Sequence, residues 1–278
     1  LYALVALGLN LVCGTMRLLN VAHGEVLMVG SYVSFWACRL FGIGPLLSGA
    51  AAMLFGAALG AAVYFGLVRR SVRSATLAGR IEGNSLLLFF GVSVILQNVA
   101  ALLFTASPRA YSYLGEVFHV GSASLAGRNL AAFSVAVVAC GGATLFLRGS
   151  RTGLALRALI QHREAPAIVG IDIGRVQLIS LCMGFAAAGL AGALVSMLEP
   201  TNPFMGGPFT MAAFVVIILG GLGNLTGSLA AGLLLGAVET YGVALTSPTY
   251  RSILIYGVFL GVLLLRPQGL FGPGRAAR

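Results

Sequence analysis

The chain has 278 residues, of which 59% are hydrophobic and only 9% are charged, and its mean hydropathy is +0.99. An ordinary soluble domain carries roughly 25% charged residues, so water cannot be the main solvent of this chain. The formal net charge is +10, and all 17 basic residues are arginine. A chain without lysine cannot carry a phosphate-binding loop of the GxxxxGK[ST] type, which excludes a standard ATPase site.

Apolar stretches of helical length follow one another along the chain, and several reach the roughly 20 residues that span a bilayer. They run over 1–16, 25–40, 45–67, 85–105, 129–147, 177–198, 209–223, 227–246 and 250–265. Some of them are short, so we expect eight or nine helical segments. The sequence therefore predicts an all-α fold, a polytopic transmembrane helical bundle that forms a single domain over 1–278. The chain begins at Leu1 inside an apolar run, and we expect the first helix to be truncated.

The arginines are divided unevenly between alternate interhelical segments. Thirteen of the 17 fall in the segments 17, 69–80, 148–175 and 266–278, and the other four are Arg39, Arg109, Arg128 and Arg251. By the positive-inside rule, the side with more arginine is cytoplasmic. This predicts that 148–176 and the tail 266–278 are cytoplasmic, and that 106–128 and 199–208 face outside. Anionic lipid explains these basic segments better than nucleic acid does.

The segment from Met16 to Glu25 places an arginine, an asparagine, a histidine and a glutamate between two apolar runs. It is either an ordinary cytoplasmic turn or a helix break at membrane depth, which is tolerated only where it is buried in protein or lines a cavity. Polar residues enclosed by apolar sequence are candidates for a transport path. Asn20, His23 and Glu25 are therefore candidate pathway residues.

A second break follows the apolar run that ends near Leu219. Its candidate pathway residues are Gly220, Gly221, Gly223 and Asn224. Glycine at this density unwinds a helix, and unwound backbone offers carbonyl and amide groups to a passing zwitterion. The alternative is a close-packed turn. We predict that the two breaks approach one another and share one pathway.

The segment from Arg151 to Gly170 is the longest polar stretch on the side with more arginine. If 153–162 is helical, Arg157 and Gln161 lie on one stripe, and the opposite face is apolar. That face consists of Leu154, Ala155, Ala158 and Leu159. Pro166 is tolerated only in a first turn, so we expect a break near Glu164 and a second short turn after it. Such a segment can dock on another protein or lie on lipid.

Several motifs together carry a family resemblance. They are Gly8-Leu-Asn-Leu, the run from Met16 to Glu25, Gly30-Ser-Tyr, Gly153 with Arg157-Ala, Glu164-Ala and Gly170-Ile-Asp, and Ala213-Phe with Leu219-Gly-Gly-Leu-Gly. They resemble the inner-membrane permease of the high-affinity branched-chain amino-acid ABC importer family, and the match covers nearly the whole chain. One departure is Pro166, which stands where related sequences have alanine and predicts a shorter coupling helix.

The resemblance implies partners that composition alone does not indicate. These are a paralogous permease subunit, two cytoplasmic ATPase subunits that bind the ATP, and a periplasmic substrate-binding protein. It also implies that the loop over 151–170 resembles the helix that couples to the ATPase. The coupling residues would be Gly153, Arg157, Glu164, Ala165 and Gly170.

Three alternatives remain open at the level of sequence. A urea or short-amide ABC importer has similar permeases. An ion-coupled secondary transporter would need paired intramembrane ionisable residues and no docking loop. An intramembrane enzyme could use His23 and Glu25 as a metal pair, but neither residue type recurs at ligand spacing, and the four cysteines form no cluster, so no metal or cofactor is expected.

Overall fold

The computed structural model describes residues 1–70, 81–120, 123–162, 165–266 and 269–271. Its helices are α1 (Tyr2–Met16), α2 (His23–Phe41), α3 (Pro45–Val63), α4 (Ile81–Phe104), α5 (Gly127–Gly149), α6 (Arg151–Gln161), α7 (Ala165–Ile168), α8 (Ile173–Val195), α9 (Gly206–Gly220), α10 (Leu225–Leu245) and α11 (Arg251–Leu265). A π-helical turn, Tyr64–Val68, continues α3, and a 3₁₀ turn, Pro248–Tyr250, precedes α11. All nine predicted apolar stretches are helical, which confirms the all-α polytopic bundle.

Five segments in the described part of the chain are long and apolar enough to cross a membrane: Pro45–Val68, Ser85–Phe104, Gly127–Gly149, Ile173–Val195 and Leu225–Leu245. The helices α1, α9 and α11 are apolar but shorter. A short antiparallel hairpin, β1 (Val117–Val120) with β2 (Ala123–Ala126), joins α4 to α5 and pairs Val117 with Ala126. The sequence did not predict this hairpin, because four-residue strands are too short to show a clear alternation.

Helix α8 is the centre of the bundle, and it packs against α1, α2 and α3. Glycines on facing helices allow these backbones to touch. A Cβ at Gly56 would collide with the Phe185 carbonyl, and one at Gly192 would collide with the Leu27 carbonyl. In lipid there is little hydrophobic drive between helices, so close backbone approach through small residues is what holds them together.

Backbone contacts show which segments share an end of the bundle. At one end Arg109 and Thr201 form an antiparallel bridge, so the segments predicted to face outside lie together. At the other end the Leu270 amide donates to the Leu219 carbonyl at 2.7 Å, which brings the C-terminal tail to the end of α9. Helix α6 lies at this second end, because Ile160 lies beside the α9–α10 turn at Gly223. The segments that lie together at each end of the bundle are therefore segments that the arginine distribution assigns to the same side.

Candidate substrate pathway and coupling helix

The first break lies inside the bundle. Helix α1 ends at Arg17, whose φ of 52° turns the chain back, and the Cys13 thiol donates to the Leu18 carbonyl at 3.2 Å. His23, the first residue of α2, donates from Nε2 to the Val5 carbonyl at 3.0 Å, so α2 begins beside the first half of α1. Asn20 and His23 have no exposed surface. This arrangement corresponds to a helix break enclosed by protein, and an ordinary surface turn is excluded.

The N-termini of α2 and α9 meet in this region. The Gly24 amide donates to Thr210 Oγ1 at 2.9 Å, and that hydroxyl lies 3.3 Å from the Val21 carbonyl. Glu25, in the first turn of α2, also reaches the first residue of α9, since a Cβ at Gly206 would lie 2.5 Å from Glu25 Oε2. The N-terminal ends of α2 and α9, which carry the positive ends of the helix dipoles, therefore lie beside the Glu25 carboxyl group.

Three polar atoms around this junction are buried and have no hydrogen-bond partner in the described part of the protein. They are Asn20 Nδ2, His23 Nδ1 and Glu25 Oε2. Glu25 Oε1 accepts a bond of 3.4 Å from Ser93 on α4, and Asn20 Oδ1 accepts from the Ala22 amide at 3.1 Å. A buried polar atom without a partner costs about 1–3 kcal/mol, so the junction can offer both donors and acceptors to a small polar molecule.

The second break is a close-packed turn. Gly221 and Gly223 have φ values of 86° and 82°, which only glycine adopts without strain. A Cβ at Gly220 would lie 2.5 Å from the Ser228 amide nitrogen, so α9 and α10 touch there. Asn224 caps α10 by accepting from the Gly227 amide at 2.9 Å.

Asn10 on α1 holds this turn, and the sequence reasoning did not assign it a role. Its Oδ1 accepts from the Gly223 amide at 2.8 Å, and its Nδ2 donates to the Asn224 carbonyl at 3.1 Å and to Ser228 Oγ at 2.5 Å. The residue is fully buried. An asparagine within an apolar run was the available signal, because such a residue in a membrane helix needs a polar partner.

The structure does not bring His23 and Glu25, at the end of the first break, close to the second break. Gly206 and Gly220 are the first and last residues of α9. The rise of an α-helix over 14 residues places them about 21 Å apart along the helix axis. Both breaks instead contact α1. His23 lies beside Gly8, whereas Gly223 lies beside Gly14 on the same helix. The region of His23 and the region of Gly223 are therefore separate, and both contact α1.

Helix α6 packs against the membrane bundle through Leu156 and Leu159, which are 0% and 2% exposed. Its N-terminus approaches the end of α5 closely, since a Cβ at Gly153 would lie 2.5 Å from the Leu147 carbonyl. The predicted apolar face needs a correction, because Leu154 is 61% exposed. The close contact at Gly153 rotates the helix so that Leu156 takes the buried position.

The remaining predicted coupling residues lie along the same segment. Arg157 is half-buried, and its Nη2 lies 3.4 Å from the Arg148 carbonyl at the end of α5. Ala165 begins α7, which confirms the predicted second short turn, and Glu164 lies outside the described residues. Gly170 is exposed with a φ of 80°, and its amide donates to the Ala167 carbonyl at 3.1 Å.

This bundle of bilayer-length apolar helices, with interrupted helices enclosed in its core, defines a multi-pass membrane protein. The chain belongs to the family described as branched-chain amino acid transport system, permease component, whose sequence profile matches residues 1–263. The match covers the two breaks, α6 and α7. These elements are therefore features of a transport permease subunit.

Curated relatives align along almost the whole chain. One is the high-affinity branched-chain amino acid transport system permease protein BraD of Pseudomonas aeruginosa, 32% identical over 98% of this chain and 91% of that protein. The Escherichia coli permease protein LivH is 33% identical with the same coverage. A probable LivH of Methanocaldococcus jannaschii is 28% identical over 98% of this chain and 89% of its own length. No solved structure matches this chain.

Proposed function

We propose that this chain is the permease subunit of an ATP-driven importer that carries branched-chain amino acids across the bacterial inner membrane. The observation that carries the proposal is the junction of α2 and α9, where two helix N-termini face each other beside Asn20, His23 and Glu25. Interrupted helices of this kind bind small zwitterions in other transporters. The relatives named as branched-chain amino acid permeases support the same substrate class.

The junction has groups for each part of an amino acid. The helix N-termini favour the α-carboxylate, and the unpaired Glu25 Oε2 can accept from the α-ammonium group. Val5 and Val26 next to it are buried apolar residues against which an aliphatic side chain can pack. Because Asn20, His23 and Glu25 are at most 3% exposed, the N-termini of α2 and α9 must separate for substrate to pass.

The energy for this opening comes from ATPase subunits that dock on α6 and α7. The chain contains no lysine and hence no standard phosphate-binding loop of its own. Leu154, Ile168 and Val169 are 61%, 86% and 74% exposed, and all three lie outside the long apolar helices. Exposed large apolar residues in a segment outside the membrane helices are candidates for contact with another protein. A paralogous permease subunit and a periplasmic binding protein complete the importer.

Uptake measurements test the substrate. Deleting the gene in its host should abolish high-affinity uptake of labelled leucine, isoleucine and valine, and the cloned gene should restore it. Uptake of urea and acetamide should be the same in both strains. Loss of urea or acetamide uptake with normal leucine uptake would contradict the substrate assignment and favour a short-amide importer.

A pair of matched variants tests the junction. Thr210→Val removes the hydroxyl through which α9 bonds to Gly24 and Val21 at the start of α2. Thr240→Val removes an exposed hydroxyl that donates to the Gly236 carbonyl in its own helix. At equal membrane abundance, Thr210→Val should change the KM or the maximal rate of leucine uptake at least about tenfold, and Thr240→Val should not. Equal uptake kinetics in the two variants would contradict a role of this junction in the substrate pathway.

A further inference from the structure

An apolar groove lies between α2, α3 and α4, outside the junction of α2 and α9. It has a volume of about 370 Å³, and its walls include Val33 from α2, Phe55 from α3, and Leu96 and Ala100 from α4. Its walls are almost entirely apolar, and α3 and α4 belong to segments that are long and apolar enough to cross a membrane. Such a groove suits a hydrocarbon chain.

Three unsatisfied hydrogen-bond donors meet at one end of this groove. Tyr32 Oη, Trp36 Nε1 and Arg109 Nε are all buried and have no partner in the described part of the protein. They surround Phe104, the last residue of α4. Its ring stacks on Tyr32 with the centroids 4.4 Å apart, and its centroid lies 5.8 Å from that of Trp36. Arg109 lies over Trp36 at 5.3 Å and donates from Nη2 to the Phe104 carbonyl at 2.9 Å.

These donors differ from an ordinary aromatic belt. Tyrosine and tryptophan are common at the membrane–water interface, where their polar tips reach water or head groups. Here the tips are buried, and Tyr32 is only 2% exposed although both it and Trp36 line the groove. A buried tyrosine hydroxyl or indole N–H normally has a partner. A partner for these three donors has to supply acceptor atoms at this end of the apolar groove.

A phospholipid combines the two required properties. Its ester and phosphate oxygens are acceptors, its phosphate complements the charge of Arg109, and its acyl chain matches the apolar walls. Trp36 lies five residues before the end of α2 at Phe41, which is about 8 Å along the helix and places the donors near the level of the head groups. We propose that the groove between α2, α3 and α4 binds one phospholipid, with its phosphate and ester oxygens at Tyr32, Trp36 and Arg109.

Tryptophan fluorescence gives a direct test, because Trp36 is the single tryptophan of the chain. The full chain is reconstituted into vesicles of phosphatidylglycerol with brominated acyl chains, which quench tryptophan on contact. It is then exchanged into vesicles of unbrominated phosphatidylglycerol. If a lipid is bound in the groove, part of the Trp36 fluorescence should stay quenched after the exchange, and this quenching should be lost much more slowly than the bulk lipids mix. If the chain is reconstituted with subunits that contain tryptophan, the Trp36→Phe variant gives the background fluorescence of those subunits.

Variants locate the site. Arg109→Gln removes the head-group charge and Ala100→Leu fills the groove, and each should speed the loss of quenching at least about tenfold. Tyr32→Phe removes one donor and should act in the same direction. Arg128→Gln, an exposed arginine near the same end of the bundle, is the matched control and should have no effect.

Two outcomes would overturn the proposal. Quenching that disappears as fast as the lipids mix would identify Trp36 as a contact of ordinary annular lipid. An absence of quenching would mean that protein covers the groove, either a second copy of this chain or another subunit. Neither result would affect the uptake experiment, so the lipid site and the transport function are tested separately.

Discussion

Asn10 shows how one buried polar side chain can organise a membrane protein. Its amide group contacts the Gly223 amide and the Asn224 carbonyl in the turn between α9 and α10, and the Ser228 hydroxyl in the first turn of α10. Polar groups without water must be satisfied by protein, so these contacts fix α1 against the turn. Asn10 therefore links the helix that contacts His23 to the turn that contacts α6.

Replacing Asn10 by alanine should destabilise the protein. The change leaves the Gly223 amide without its acceptor, and an unsatisfied buried group costs about 1–3 kcal/mol. The midpoint of thermal unfolding in detergent should fall, while Asn98→Ala should leave it nearly unchanged because Asn98 is exposed and bonds only to Val94 in its own helix. Equal midpoints for the two variants would contradict the role of Asn10.

Gly192 is the residue at which an added methyl group should be least tolerated. Its Cβ would collide with the Leu27 carbonyl and lie 2.8 Å from the Ser31 amide, and both are backbone atoms that cannot move aside. Gly192→Ala should therefore greatly reduce the amount of folded protein in membranes. Gly141→Ala is the control, since nothing lies within 4 Å of its Cβ position, and alanine there should be neutral or stabilise α5 by up to about 1 kcal/mol. Normal abundance of Gly192→Ala would show that α2 and α8 can separate.

At the scale of elements, α2 and α9 differ from the amphipathic helix α6 in the part of the bundle that they contact. Helices α2 and α9 both begin inside the bundle, where the Gly24 amide of α2 donates to the Thr210 hydroxyl of α9. Helix α6 contacts the opposite end of α1 and the turn after α9, through Ile160 beside Gly14 and Gly223. A displacement of α6 therefore acts directly on α1 and on the end of α9.

Changing the exposed surface of α6 should separate coupling from folding. Leu154 is 61% exposed, so Leu154→Gln removes an apolar contact for an ATPase subunit without disturbing the buried face. We expect normal membrane abundance, reduced co-purification of the ATPase subunits and reduced leucine uptake. Arg175→Gln is the control at the same end of the bundle, since Arg175 is exposed and pairs only with Asp172 in the same turn. Full uptake with bound ATPases in Leu154→Gln would contradict docking at this surface.

At the scale of the whole molecule, the charged groups of the described residues lie at the ends of the bundle or are paired, with the exception of Glu25 at the junction of α2 and α9. Glu239 on α10 forms an ion pair with Arg251 at the start of α11, and Arg251 also binds Glu199 at 2.8 Å. This agrees with the expectation that a carboxylate in an apolar helix needs a partner. Most of the arginines among the described residues lie at the opposite end, with α6.

Cysteine labelling tests which end is cytoplasmic. In a background without the four native cysteines, His162→Cys after α6 and Ala110→Cys beside the Arg109 bridge are both exposed and lie at opposite ends. A membrane-impermeant maleimide added to intact spheroplasts should label position 110 and not position 162, because the positive-inside rule places the arginine-rich end in the cytoplasm. Labelling of 162 before the cells are opened would reverse the orientation and remove α6 from contact with cytoplasmic ATPases.

The apolar stretches determined where the helices of the bundle lie, because a backbone in lipid must satisfy its hydrogen bonds within each segment. The polar runs around Asn20, His23 and Glu25 and around Gly221 also marked real interruptions, since polar groups and glycine are costly within a lipid-facing helix. Their positions relative to each other were decided only by the tertiary structure. Whether two breaks meet depends on which helix runs between them, and that packing is set by glycine contacts such as Gly192 with Leu27 that involve residues distant in sequence.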